Sequence, residues 1–181
     1  MNLILRLLYV VLAALRGRRI QPLDESVLTF RVLPSDLDTN LHMNNGRYLT
    51  LMDLGRLDLL LRLGVVREVR RRRWNPVVAS LAIRYRRSLE PWQKYELRTR
   101  LVGWDERWFF MEQSFTRGGE LMAHAIVKAL FVGPEGRVTP QALVDLAGYP
   151  VERPEIPESI RRWEEAEDAI LERRELVNQG G

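Results

Sequence analysis

Cysteine is absent from the 181 residues, which excludes disulfides, thiolate metal sites and a cysteine nucleophile together. Histidine is nearly as scarce. With only His42 and His124, a multi-histidine zinc site is not expected, and neither is any cofactor. No apolar run is long enough to span a bilayer. The longest, within MNLILRLLYVVLAALRGRR at the N-terminus, is interrupted by Arg6. A helix of that length rises about 20 Å, against a hydrocarbon core of about 30 Å. A secretory leader is also disfavoured, because the positive charge follows the apolar run and no small-x-small cleavage site appears. Residues 1–20 are therefore expected to lie as a helix on a membrane surface with their arginines at the headgroups, or else to dock on the domain or a partner chain. The expected location is cytoplasmic, peripheral at the membrane through this helix.

What the chain does have is arginine. The formal charge is +4, and the basic residues cluster as RGRR (16–19), REVRRRR (67–73) and RYRR (84–87). Nucleic acid, anionic lipid and the phosphates of a carrier are all partners by charge alone, and a charge run is also simply a solvated face. The runs lack the aromatic interleaving and recognition motifs of nucleic-acid readers, so nucleic acid is not expected as a partner.

Hydrophobic patterning gives the order of elements. ESVLTFRVL alternates with period two, as a strand does. RYLTLMDLGRLDLLLRLG places polar residues at 47, 50, 53, 56, 58 and 62, one stripe on a helix otherwise buried, with Asn44 or Asn45 to cap it and Gly64 to end it. Then come four strand-like runs, VVASLAIRYRRSL, KYELRTRLVGW, RWFFMEQSFTR and LMAHAIVKALFVG, separated by LEPWQ, WDER and the hairpin signal RGGE. They read as consecutive antiparallel strands, giving an α+β domain over residues 23–150 with a long helix against a curved sheet. Residues 151–181 form a Pro-rich connector and a charged helix near Ile160–Val177.

The stretch SDLDTNLHMNNGRY (35–48) concentrates polar chemistry just before the central helix. It is not an EF-hand loop, since Leu41 stands where glycine is needed and Arg47 where a bidentate glutamate should close the site. Nor is there a G-x-S-x-G element for a serine hydrolase. Local backbone bonding and helix capping would explain a single Asp or Asn here. The combination is more specific. A D-x-D element ending ten residues before Tyr48 resembles the 4-hydroxybenzoyl-CoA thioesterase group of hotdog-fold acyl thioesterases. Asp38, Asn40 and His42 resemble the D-x-N-x-H element of plant acyl-ACP thioesterases. RVLPSDLDTNLHMNNGRYL, RTRLVGWDERWFF and PEIPESIRRW, in that order, are most similar to the thioesterase superfamily member 6 group.

That resemblance implies a hotdog fold, a curved antiparallel sheet wrapped around a long central helix, and an acyl-CoA or acyl-ACP thioester hydrolase. Asp38 falls on the catalytic carboxylate, as nucleophile or as base for a water. Asn40 and His42 fall on its partners, and the Asn45 N–H on the group that polarises the thioester oxygen. Tyr48 and the run Arg70, Arg71, Arg72 and Arg73 are the expected substrate contacts, the arginines meeting CoA phosphates or an acidic carrier protein. Leu51, Leu54, Leu57 and Leu61 with Phe109, Phe110 and Met111 could line an acyl tunnel, or form ordinary core. A homodimer or a dimer of dimers is implied as well. One departure weakens the catalytic reading. Where the plant enzymes carry Glu-Cys after YRR, this chain has Ser88 and Leu89. Glu90, or Asp53 from a neighbouring chain, is a candidate for a second acid, although Asp53 is more readily a stripe charge paired with Arg56 or Arg47. The alternative is a non-catalytic hotdog protein that binds acyl chains or lipids at a membrane.

Overall fold

A computed structural model describes the backbone of residues 2–179 and the side chains of residues 3–173. The order is α1 (Asn2–Arg16), β1 (Ser26–Arg31), a 3-10 turn (Pro34–Asp36), α2 (Asn45–Leu63), α3 (Val66–Arg71), β2 (Asn75–Tyr85), β3 (Lys94–Trp104), β4 (Phe109–Arg117), β5 (Glu120–Gly133), β6 (Gly136–Val138), α4 (Pro140–Leu146) and α5 (Glu158–Gln179). One antiparallel sheet runs β1-β3-β4-β5-β2, with β6 added to β5. This is the expected α+β hotdog arrangement, with α2 against one sheet face.

The strand order corrects the expectation of four consecutive antiparallel neighbours. β3, β4 and β5 do follow one another, and Gly118 and Gly119 turn the β4–β5 hairpin with φ of 57° and 84°, angles costly for side-chain-bearing residues. β2 instead pairs with β5 at the far edge. The reason lies in residues 86–93, whose backbone bonds do not close a hairpin. Arg86 N–H donates to Met122, Met43 N–H to the Leu89 carbonyl, and Val32 N–H to Gln93. The connector thus crosses from the β5 side to the β1 side beneath the polar loop, with Leu89 fully buried.

α2 begins where Asn44 accepts the Gly46 N–H at 2.8 Å and ends at Gly64, in the left-handed region at φ 76°. Its polar residues do not form one solvent stripe. Asp58 is fully buried, hydrogen-bonded to Ser26 and to Arg62 at 2.7 Å, and Arg56 reaches 2.7 Å to the buried Gln113. Gln113 in turn donates to Thr99 and to the Met52 carbonyl. α2 comes so close to the sheet here that a Cβ on Gly55 would lie 2.5 Å from Thr99 Oγ1.

α1 runs beside α2 and buries Arg6, Val10 and Ala14, a stripe at i, i+4, i+8. α5 covers the opposite face of the sheet, where Glu164 pairs with Lys128 at 2.7 Å and Ser80 bonds Glu167.

Candidate active site

The polar loop divides at Leu37. Its first half is anchored. Asp36 is fully buried and receives Arg6 through both guanidinium nitrogens, at 2.5 and 3.2 Å, together with the Leu33 N–H at 2.9 Å. Arg47 from the first turn of α2 lies 3.3 Å away. Arg6 also donates to the Arg31 carbonyl and stacks over Phe30. The composition of the loop did not reveal this clamp, because its cation comes from thirty residues upstream, inside an apolar helix.

The second half is built from its own backbone. Leu37 and Met43 form an antiparallel bridge, and Asp38 N–H donates to the His42 carbonyl at 2.8 Å. Asp38 Oδ1 accepts the Asn40 N–H at 2.8 Å and the His42 N–H at 3.3 Å. Leu41, at the tip, sits at φ 58°. The structure therefore brings Asn40 and His42 to Asp38 through their main chain, and among the described residues no hydrogen bond joins the three side chains. Asp38 Oδ2 takes no partner among the described residues, and the carboxylate is half-buried and reachable.

The loop returns to α2 through Asn44 N–H, which donates to the Asp36 carbonyl at 2.8 Å. With Asn44 as the cap, Asn45 is the first helical residue, exposed, and its N–H is one of the orphan donors that give a helix start its positive character. The Asn45 carbonyl accepts the Tyr85 hydroxyl at 3.1 Å, so the last residue of β2 holds the helix start in place. Only the YRR triplet hinted at Tyr85, and its role needs the fold.

Two expectations about binding change. Tyr48 is buried, its ring 4.8 Å from Phe115 and 5.1 Å from Tyr85, and burial pushes its hydroxyl up to about 12. Its ring packs in the core behind the loop. Arg70 to Arg73 sit past the other end of α2, a helix of 19 residues and so about 28 Å long, and cannot touch Asp38 of their own chain. Arg71 and Arg72 pair with Glu68, whereas Arg70 and Arg73 have no ion-pair partner among the described residues. Glu90 lies in the crossing connector, bonded to Gln93, because β2 stops at Tyr85.

A cavity of about 250 Å³ opens at that same far end, lined mainly by apolar side chains of α2, β2, β4, β5 and α4, among them Leu57, Val77, Phe109 and Met111. Of the expected tunnel residues, Leu51 and Leu54 are core instead. Asp53 stands at the cavity lining beside Arg56, to which it is bonded. Burial lowers the Arg56 pKa, partly offset by Asp53.

A curved antiparallel sheet, a long helix and a polar loop at its start together define one class, and the comparisons agree. The chain belongs to the thioesterase-like superfamily, whose model matches residues 32–163. Thioester hydrolysis is the chemistry of that class. Among curated proteins it is similar to Protein THEM6 of Xenopus laevis, 35% identical over 153 residues that cover 80% of this chain and 72% of that one. Among solved structures, a Thermus thermophilus hypothetical protein, TT1821, matches 69% of this chain and 96% of its own at TM-score 0.62 and 23% identity. A probable thioesterase from Bartonella henselae matches 64% and 98% at TM-score 0.59 and 23% identity. Both share the hotdog fold.

Proposed function

We propose that this protein hydrolyses acyl-CoA thioesters at Asp38, in a site completed by a second copy of the chain. The observation that carries this reading is the Asp38 carboxylate, one oxygen tied by two backbone N–H groups and the other open, at the end of α2 where the Asn45 N–H is free to donate. Asp38 either takes a proton from the attacking water or attacks the carbonyl itself. The Asn45 N–H and the helix start accept the charge that develops on the thioester oxygen. A CoA thiol, with an ordinary thiol pKa of about 8.5, leaves readily without a strong acid behind it, which suits a site where, among the described residues, no second carboxylate bonds to Asp38.

β2 is an exposed sheet edge with Val77, Val78 and Tyr85 uncovered, the kind of edge that invites a partner strand. Antiparallel pairing of two such edges sets the Asn75 end of one against the Tyr85 end of the other. Tyr85 touches the helix start, while Arg70, Arg73 and the apolar cavity adjoin Asn75. The pairing thus brings the second copy's arginines and cavity to Asp38, and gives the CoA phosphates and the acyl chain each a place.

The test is thiol release from short, long and aromatic acyl-CoAs. Asp38→Asn is expected to lose about 10²–10⁴-fold in turnover with an unchanged unfolding midpoint. Arg70→Glu with Arg73→Glu should raise KM for acyl-CoA and leave acyl N-acetylcysteamine thioesters, which lack the nucleotide, untouched. No thiol release from any substrate, with fatty acyl groups recovered bound to the protein, would favour the non-catalytic reading instead.

A further inference from the structure

α1 is docked, yet it is not covered. Arg6, Val10 and Ala14 face the domain. On the opposite side Ile4, Leu5, Leu8, Leu12 and Leu15 are 63%, 62%, 54%, 47% and 74% exposed. At 100° per residue these five share one face, so a helix that has already spent its inner stripe on the core still offers solvent a continuous aliphatic surface.

The surroundings of that face carry cations and amphipathic rings. Arg16 ends its last turn and Arg18 follows two residues on, both exposed and without an ion pair among the described residues. Beside its first turns lies a shallow groove formed by Leu5, Tyr9, Arg31 and Lys94, among others. The Arg31 guanidinium bonds the carbonyl of Trp92, whose ring is 57% exposed at the end of the connector, two residues before Lys94. Aliphatic side chains in the middle, with tyrosine, tryptophan, arginine and lysine at the border, match the layering of a bilayer surface from acyl chains to anionic headgroups. Among the described residues no helix is long and apolar enough to cross a membrane. Arg6 also fixes the axis of α1 along the domain, so this face meets a lipid surface side-on.

We infer that the outer face of α1, bordered by Arg16, Arg18, Arg31 and Lys94, docks the protein on an anionic phospholipid surface. The occupant is lipid rather than a second copy of the chain for two reasons. The uniformly positive border would repel its own image, and the sheet edge open to a second copy, β2, is the one remote from α1, which lies against β1. The inference stands apart from the catalytic reading, since none of these residues belongs to the hydrolytic loop.

The experiment is co-sedimentation of the full chain with extruded vesicles of phosphatidylcholine alone and of phosphatidylcholine with phosphatidylglycerol. Binding to the anionic vesicles, weakened by raising the salt, is expected for the natural chain. Leu8→Asp with Leu12→Asp should reduce it by about tenfold or more. Arg16→Glu with Arg18→Glu should reduce it by about fivefold per arginine. All four positions are exposed, and an unchanged unfolding midpoint verifies that the variants fold. Retention of the natural chain in the supernatant with both vesicle types overturns the inference. So does equal binding by the Leu8 and Leu12 variant. A drop in sedimenting mass of that variant without vesicles would show a second copy on this face, and would overturn it as well.

Discussion

Asp36 and Asp38 stand two residues apart in one loop and live under opposite conditions. Asp36 has no exposed surface and is surrounded by two arginines and a backbone N–H. Asp38 is half-buried, held by main-chain donors on one oxygen and open on the other. The first carboxylate spends its charge on architecture so that the second can keep its charge available. The difference between them lies in the donors the fold supplies and not in residue type: arginine side chains reach Asp36, and only backbone N–H groups reach Asp38 among the described residues.

The contrast can be broken most strongly from the anchored side. Arg6→Met leaves Asp36 buried without its bidentate partner, and loss of one member of a buried pair costs about 3–5 kcal/mol. Urea unfolding of the variant should show that loss, whereas Asp38→Asn should move the unfolding curve little and the turnover greatly. If the two variants behaved alike, the division between anchor and reactive group would be wrong. A smaller effect is expected from Tyr85→Phe, which removes the hydroxyl bonded to the Asn45 carbonyl. Its cost to stability is about 0.5–1.5 kcal/mol, with kcat falling more than KM rises, because the helix start is displaced and the substrate contacts are not. The smallest effect sharpens the comparison at the loop tip. Leu41 holds a left-handed φ of 58° that costs a side-chain-bearing residue about 1–2 kcal/mol, of which glycine's unfolded-state entropy returns only part. Leu41→Gly should therefore raise stability slightly, by about 0.5 kcal/mol, while lowering turnover as the loop loses its fixed shape.

Much of this was legible in residue order. The strand-like runs became β1 to β5, and α2 began and ended within two residues of its expected bounds. What patterning could not convey was pairing. LEPWQ reads as a turn whichever strand it leads to, and only the bonds of residues 86–93 to Met43, Val32 and Met122 show that it is a crossing. The short α3, β6 and α4 carry too few residues for a period to register. In the loop, the resemblance drew attention to Asp38 and Asn45, but the Arg6 clamp and the Tyr85 strut are long-range contacts between residues whose local sequence advertises something else. Asp58 and Arg56 show the same limit from another side: a polar stripe on a helix predicts solvent exposure, and each of these charges has a buried partner on a distant strand.

The crossing connector sets an order of assembly. Met43 is bonded to Leu89, and the connector is itself pinned by Arg86 N–H to Met122 on β5. The loop that carries Asp38 is synthesised early, but its floor requires a strand made some eighty residues later. Contacts of such long separation close late and slowly. During synthesis the chain therefore passes through a long interval in which Asp38 exists without a defined shape around it, and a product truncated before β5 would carry the signature of the loop and none of its geometry. The surroundings of Asp38 thus depend on residues far downstream, even though the loop itself is encoded near the beginning.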